Sequence, residues 1–232
     1  ESESRGLGDV YKRQVYYLDR TEPEPAELHV EVLRTSKGSS MGQVKLIQNK
    51  KITCLYSSLC SDFEYMKGYS GLGTPLPPII NSVKQDDFKV MSYENIGSGS
   101  TPAFIKQLNM SVHPDHAWWD RDISNDAAEA RCSAYLELEG GVADTFVLSY
   151  LADILPPVVQ NKFGSLGWIP TLTLTCNIRQ LPQTKLLFID GHAKDISNGY
   201  FEQDCYIWDM DGNLVATSRP VSYTHLTLPT TD

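Results

Sequence analysis

"ADTFVLSYLADILPPVV" (residues 143–159) is the stretch on which the fold turns. Asp144 stands where a helix N-cap is wanted, and Pro156 and Pro157 stop whatever precedes them. Between these marks Phe146, Val147, Leu148, Tyr150, Leu151, Ile154 and Leu155 make the segment apolar over most of its circumference. The exceptions, Thr145, Ser149 and Asp153, are spaced by four and share one stripe. This predicts a helix from the cap to the prolines, with Asp153 in its last turn. A helix this apolar must be covered, and the rest of the chain offers an antiparallel sheet to cover it.

The rest of the chain reads as strands. "AELHVEVLRTSKGSSMGQVKLIQNKKITCLYSSLC" (26–60) alternates through Leu28, Val30 and Val32, then Val44 and Leu46, then Ile52 to Leu59. "TKLLFIDGHAKDISNGYFEQDCYIWDMDGNLVATSR" (184–219) does the same around two hairpin dipeptides, Asn198-Gly199 and Asp211-Gly212. Each meander has a short strand leading into it that ends near a proline, "VYYLDRTEP" (15–23) and "TCNIRQLP" (175–182). The order strand-then-meander, met twice, reads as an internal repeat. Residues 67–102 are dense in Gly, Pro and Ser and read as a linker. Further strands are expected near Phe104–His113 and Ala130–Glu139. The second unit, 103–219, is thus strand, strand, helix and four strands. The first, 15–66, keeps only the strands that would follow its helix.

The two ends fit neither unit. "DVYKRQ" (9–14) can be encoded by GAT GTG TAT AAG AGA CAG. The reverse complement of that DNA, read two bases in, is GTC TCT TAT ACA CAT, or "VSYTH" (221–225). Two peptides encoded by one inverted DNA element read as translated sequencing-library adapters, over residues 1–14 and 220–232, to be set aside in reading the fold. The expected native part is then a metagenomic fragment, Val15 to Arg219, cut at both ends and inactive as it stands.

Bulk properties exclude some classes. The net charge of −9 without a basic cluster argues against nucleic acid as a partner. No apolar run approaches the roughly 18 residues of a membrane span. Five cysteines (Cys54, Cys60, Cys132, Cys176 and Cys205) form no CxxC and read as reduced core residues of an intracellular protein, cytoplasmic or peroxisomal.

Four stretches, in order, resemble the acyl-CoA thioesterase II family and its thioesterase-like relatives: "VEVLRTSKGSSMGQVKLIQNKKITCLYSSL" (30–59), "SYLADIL" (149–155), "GWIPTLTLTCNIRQLP" (167–182) and "DMDGNLVATSR" (209–219). The resemblance implies an α+β double hotdog, two antiparallel sheets that each wrap a helix, with the first helix absent here. It implies an acyl-CoA substrate, lipid metabolism, no cofactor, and association of copies through the sheets. It also implies a site of aspartate, threonine or serine, and glutamine that activates water. Asp153 matches the aspartate. Thr171 matches the threonine, with Thr173 as second choice. The glutamine would stand at 220, where this chain has Pro220.

The residues themselves allow that chemistry. A carboxylate at a helix C-terminus, flanked by Leu151, Ile154 and Leu155, is disfavoured as an anion, and its pKa should rise towards neutrality. Thr171, Thr173 and Thr175 alternate with Leu172 and Leu174, which predicts three hydroxyls on one strand face; plain β-propensity explains at least two of them. "HPDHAWWDRDISND" (113–126) offers His113, His116, Asp115, Asp120 and Asp122 to a metal, or forms a polar loop packed by Trp118 and Trp119. In the resembled family this region approaches the site, so the two tryptophans are candidates to line an acyl pocket. The competing function is a hotdog module that binds acyl-CoA or a protein partner without turnover; a dehydratase-like lyase is disfavoured because the helix holds no histidine.

Overall fold

The structure, a computed structural model, describes residues 9–63, 66–71, 73–96, 108–120, 128–138 and 143–224. Four strands come first: β1 (Asp9–Tyr17), β2 (Glu27–Thr35), β3 (Ser40–Gln48) and β4 (Lys51–Ser61). A two-residue strand β5 (Lys89–Val90) and a single-turn helix α1 (Tyr93–Ile96) follow, then β6 (Leu108–Val112) and β7 (Arg131–Leu138). Helices α2 (Thr145–Leu151) and α3 (Val159–Phe163) precede β8 (Thr171–Ile178), β9 (Leu187–His192), β10 (Ile196–Ser197), β11 (Tyr200–Glu202), β12 (Asp204–Asp209) and β13 (Leu214–Tyr223). Residues 104–107 of the expected strand before His113 lie outside the described residues.

All strands join one antiparallel sheet, eleven of them in the order β2-β3-β4-β1-β8-β13-β12-β9-β7-β6-β5, with β10 paired to β11 and β11 to β13. The internal repeat is visible in that order. The first unit runs β2-β3-β4-β1 and the second β9-β12-β13-β8, so each lead-in strand sits beside the last strand of its own meander. The two lead-in strands, β1 and β8, then pair with each other through Lys12–Tyr16 and Thr173–Asn177. The paired turns follow sequence chemistry: Asn198 and Gly199 take φ of 53° and 83°, and Gly212 takes 86°. Asn49 and Lys50, also left-handed, make the tight β3–β4 turn where "QNKK" breaks the alternation.

Of the terminal stretches read as outside the fold, residues 1–8 and 225–232 lie outside the described residues, and the rest have regular structure next to the repeat. Asp9–Gln14 forms most of β1, and Pro220–Tyr223 completes β13. Tyr11, Val10, Val221 and Tyr223 are strand formers, and slots beside β4 and β8 accept them.

Alternation divides the second unit into two faces. Cys132, Ala134 and Leu136 of β7, with Leu187 and Ile189 of β9 and Ile207 of β12, meet Leu148, Leu151, Ile154 and Leu155 in one apolar cluster. The opposite face carries Tyr135, Phe188 and Trp208, covered by Ile80 and Phe88. Those two residues lie within the stretch read as linker. It holds two 3-10 turns, Pro78–Asn81 and Gln85–Asp87, and is tied down where Trp208 Nε1 donates to Thr74 O at 2.7 Å. Its Gly/Pro-rich composition hides two apolar residues that the sheet needs.

The first unit differs. Its β2 is exposed at every residue, with Leu28, Val30 and Val32 more than half exposed, although the alternation predicts one buried face. Among the described residues this unit has no helix of its own, and α2 of the second unit reaches its β1. The five cysteines are buried, and among the described residues they form no disulfide. No described helix is long and apolar enough to cross a membrane.

Phe188 is fully buried at the centre of the second face. Phe188→Ala is expected to cost about 3–5 kcal/mol in chemical denaturation; a loss under about 1 kcal/mol would mean that the segment over it collapses to fill the space.

Candidate active site

The cap of α2 is as the sequence predicts: Asp144 Oδ1 accepts from Val147 N at 2.8 Å. The helix ends earlier than the prolines require, at Leu151. Its last bonds tighten to the i−3 pattern, with Asp153 N donating to Tyr150 O at 3.4 Å and Ile154 N to Leu151 O at 3.2 Å. Asp153 is therefore in the turn beyond the helix and not in its last turn. The side-chain stripes also differ from expectation. Thr145 and Ser149 are buried, with Ser149 Oγ donating to Thr145 O, whereas Phe146 is 74% exposed. The helix lies against β1 and β8 with its small polar stripe, because a short side chain lets the helix approach the sheet closely.

Thr171 Oγ1 donates to Asp153 Oδ1 at 3.3 Å. This contact depends on an irregularity in β8. On β13, Pro220 pairs with Leu174 and Val221 with Thr173, but Ser222 pairs with Thr171, so Leu172 is the extra residue of a bulge. The buried, helix-facing side of β13 is Ser218, Pro220 and Ser222. Thr171 therefore shares the helix side, while Thr173 and Thr175 keep the opposite face. The expectation of three hydroxyls on one face is corrected: the bulge separates Thr171 from the other two. Thr175 spends its hydroxyl on Gln14 across the β1–β8 pair.

Burial pushes the Asp153 carboxyl up to about 6, against the opposing effects of the Thr171 hydroxyl and the Arg13 guanidinium. Burial, more than the dipole of a seven-residue helix, produces the rise. Two β1 residues near this carboxyl have no signal in the sequence pattern that marks them. Arg13 Nη2 donates to Ser149 O at 2.8 Å, and its Nε is buried with no hydrogen-bond partner among the described residues. Tyr17 has its phenol pushed up by burial and by the Asp153 charge.

The histidine loop takes up its own polar groups. His113 Nδ1 accepts from Asp115 N at 3.2 Å, and its Nε2 lies 2.8 Å from Ser82 Oγ. His116 Nδ1 accepts from Ser133 N at 3.0 Å, and Asp120 pairs with Lys89 at 2.9 Å. Asp122 lies outside the described residues. Among the described residues no three His, Cys, Asp or Glu side chains are grouped to hold a metal ion. Trp118 is buried in the same apolar cluster as Leu151 and Ile154; Trp119 packs on its edge, ring centroids 4.7 Å apart. A cavity of about 750 Å³ lies elsewhere, lined by Arg131, Lys162, Phe163, Asp190, His192 and Lys194, and includes neither Asp153 nor Thr171.

A repeated antiparallel sheet with a short central helix against it defines the hotdog class, and solved structures agree. A hot dog fold protein of unknown function from Alicyclobacillus acidocaldarius superposes with a TM-score of 0.80 at 16% identity, over 98% of this chain and 83% of its own. A protein assigned as a thioesterase II from Thermobifida fusca superposes at 0.74 with 21% identity, over 97% and 81%. An acyl-CoA thioesterase II from Mycobacterium marinum does so at 0.66 with 13% identity, over 94% and 81%. None of the curated proteins matches the chain in sequence. The family model of the acyl-CoA thioesterase C-terminal domain matches residues 84–223, and that of the N-terminal domain matches residues 3–60. The chain belongs to the acyl-CoA thioesterase family.

The raised carboxyl carries a sign for stability. The folded chain holds the Asp153 proton more tightly than the unfolded chain, whose value is near 3.8, so stability falls as pH rises from about 4 to about 6. Asp153→Asn removes this loss. Its melting temperature should exceed the parent's by a few degrees at about pH 7.5 and match it near pH 4. A less stable variant at the higher pH would overturn the assignment of a strained carboxylate.

Proposed function

We propose that the protein hydrolyses fatty acyl-CoA thioesters to free acid and CoA, with Asp153 as the general base and Thr171 as the residue that orients the water. The observation carrying this reading is the contact between Thr171 and a carboxyl that burial holds near neutrality. At neutral pH the carboxylate takes a proton from water as its oxygen attacks the thioester carbonyl. The tetrahedral oxyanion collapses, the C–S bond breaks, and the CoA thiolate leaves and takes up the proton. A thiolate leaves readily, so this route requires no metal. Trp118 and Trp119 remain the candidates to line the acyl chain.

Pro220 qualifies the reading for the chain as given. It is buried and faces the helix side two residues beyond Ser218, the position where the resemblance puts a glutamine. Proline offers neither an amide side chain nor an N–H to hold water or an oxyanion. The specific alternative, a hotdog that binds acyl-CoA without turnover, rests on this residue. We also read residues 1–14 and 220–232 as adapter-encoded, on the inverted DNA element, and expect a glutamine codon at 220 in the uninterrupted gene. A proline codon there would favour the binding module.

Four outcomes test the proposal by release of CoA thiol. Pro220→Gln should raise kcat/KM at least about tenfold. In that protein Asp153→Asn should remove most of the rate, about 100-fold or more, while the fold is kept. The rate should climb through a limb centred near pH 6, the value of the Asp153 carboxyl, and EDTA should leave it unchanged. Undiminished turnover in Asp153→Asn would sink the base; inactivation by the chelator would revive a metal at the histidine loop.

A further inference from the structure

The segment that carries Asp153 leaves α2 at Ala152 and meets regular structure again only at Val159. It cannot hold itself in place. The helix before it has seven residues, too few to be stable alone. Pro156 and Pro157 contribute no N–H to backbone bonds. The last carbonyls of a helix also have no partner within it.

Both ends of the segment are gripped, one from β13 and the other from the residue that links β11 to β12. Ser218 Oγ donates to Ala152 O at 2.5 Å, at the residue before Asp153. At the far end Val158 N donates to Gln203 Oε1 at 3.0 Å. The two grips are joined: Gln203 Nε2 lies 3.3 Å from Cys205 Sγ, and Cys205 is the strand partner of Ser218 across β12 and β13. Gln203, Cys205 and Ser218 are all buried. Between the grips Leu155 rests on the sheet at Gly191, where a Cβ would stand 2.7 Å from Leu155 Cδ1 and 3.0 Å from Cys205 Sγ. The absence of a side chain at 191 is what lets the segment lie so close.

We propose that Ser218 and Gln203 are positioning residues that clamp the Asp153 turn to the sheet and so set the distance between its carboxylate and Thr171. The role rests on the reading of Asp153 as the base; neither residue touches the reacting atoms. Without the Ser218 hydroxyl, Ala152 O loses its donor and the turn lifts. Water then enters behind Asp153, and the burial that raises its carboxyl is relieved.

The test compares Ser218→Ala and Ser218→Thr in the full chain and in its Pro220→Gln form. One readout, the ¹³C titration of the Asp153 carboxyl, does not depend on turnover. The midpoint, about 6 in the parent, should fall by about 0.5 or more in Ser218→Ala and hold in Ser218→Thr. With acyl-CoA, Ser218→Ala should lower kcat about tenfold with KM within about twofold, and Ser218→Thr should restore it. In an Asp153→Asn background Ser218→Ala should add no further loss. An unchanged midpoint, or an equal loss of kcat with and without Asp153, overturns the clamp. Should Ser218→Ala fail to fold, Gln203→Met, which removes the acceptor and keeps the bulk, must lower the same midpoint. If Asp153→Asn keeps full turnover the base assignment fails, and the titration still decides the clamp.

Discussion

The pairing of β1 with β8 is the contact on which the rest of the molecule is built. It joins two four-strand units, equivalent in order, into one sheet. Its register sets Val15 opposite Leu174, both buried, on the side where α2 lies. A shift of one residue would turn both to the other face and expose the seam beneath the helix. The same register brings Arg13 under Ser149 and leaves Tyr17 near the Asp153 carboxyl. The proposed site thus lies at the junction of the two units, between a helix end and a strand of one and a strand of the other.

The second unit shows how little helix such a sheet needs. One face is closed by α2 and the segment after it, the other by Ile80 and Phe88 from a stretch with little regular structure. The first unit has the same strand order without a helix of its own among the described residues, and its edge strand β2 is exposed on both faces. A long apolar edge of that kind is a template for pairing with another strand, whereas the other end of the sheet closes with the two residues of β5.

Much of this was legible in the sequence where local rules and tertiary structure agree. The α2 cap at Asp144, the left-handed Asn198-Gly199 and Gly212 turns, and the strand-then-meander repeat rest on short-range chemistry. The length of α2 was not legible, because the chain leaves the helix for a tighter turn whose Ala152 carbonyl is bonded by a serine on β13, 66 residues away. Nor was the burial of Thr145 and Ser149, which depends on how closely the helix approaches the sheet. Ile80 and Phe88 were hidden by their glycine- and proline-rich surroundings. Of the proposed site, Asp153 and Thr171 were found through the family resemblance and are brought together, whereas the neighbours on β1 fell in or beside a stretch set aside as foreign.

The bulge at Leu172 has a wider meaning. A strand assigns its side chains by odd and even count, and one surplus residue changes that count without altering a single identity. The run "TLTLT" (171–175) is therefore two populations of threonine that no comparison of letters can tell apart. Ironing out the bulge, with Leu172 kept as an ordinary paired residue, would leave every hydroxyl in the chain, yet hand Thr171 to the face that Thr173 already occupies. At this position parity, and not residue type, decides which threonine can reach a carboxylate.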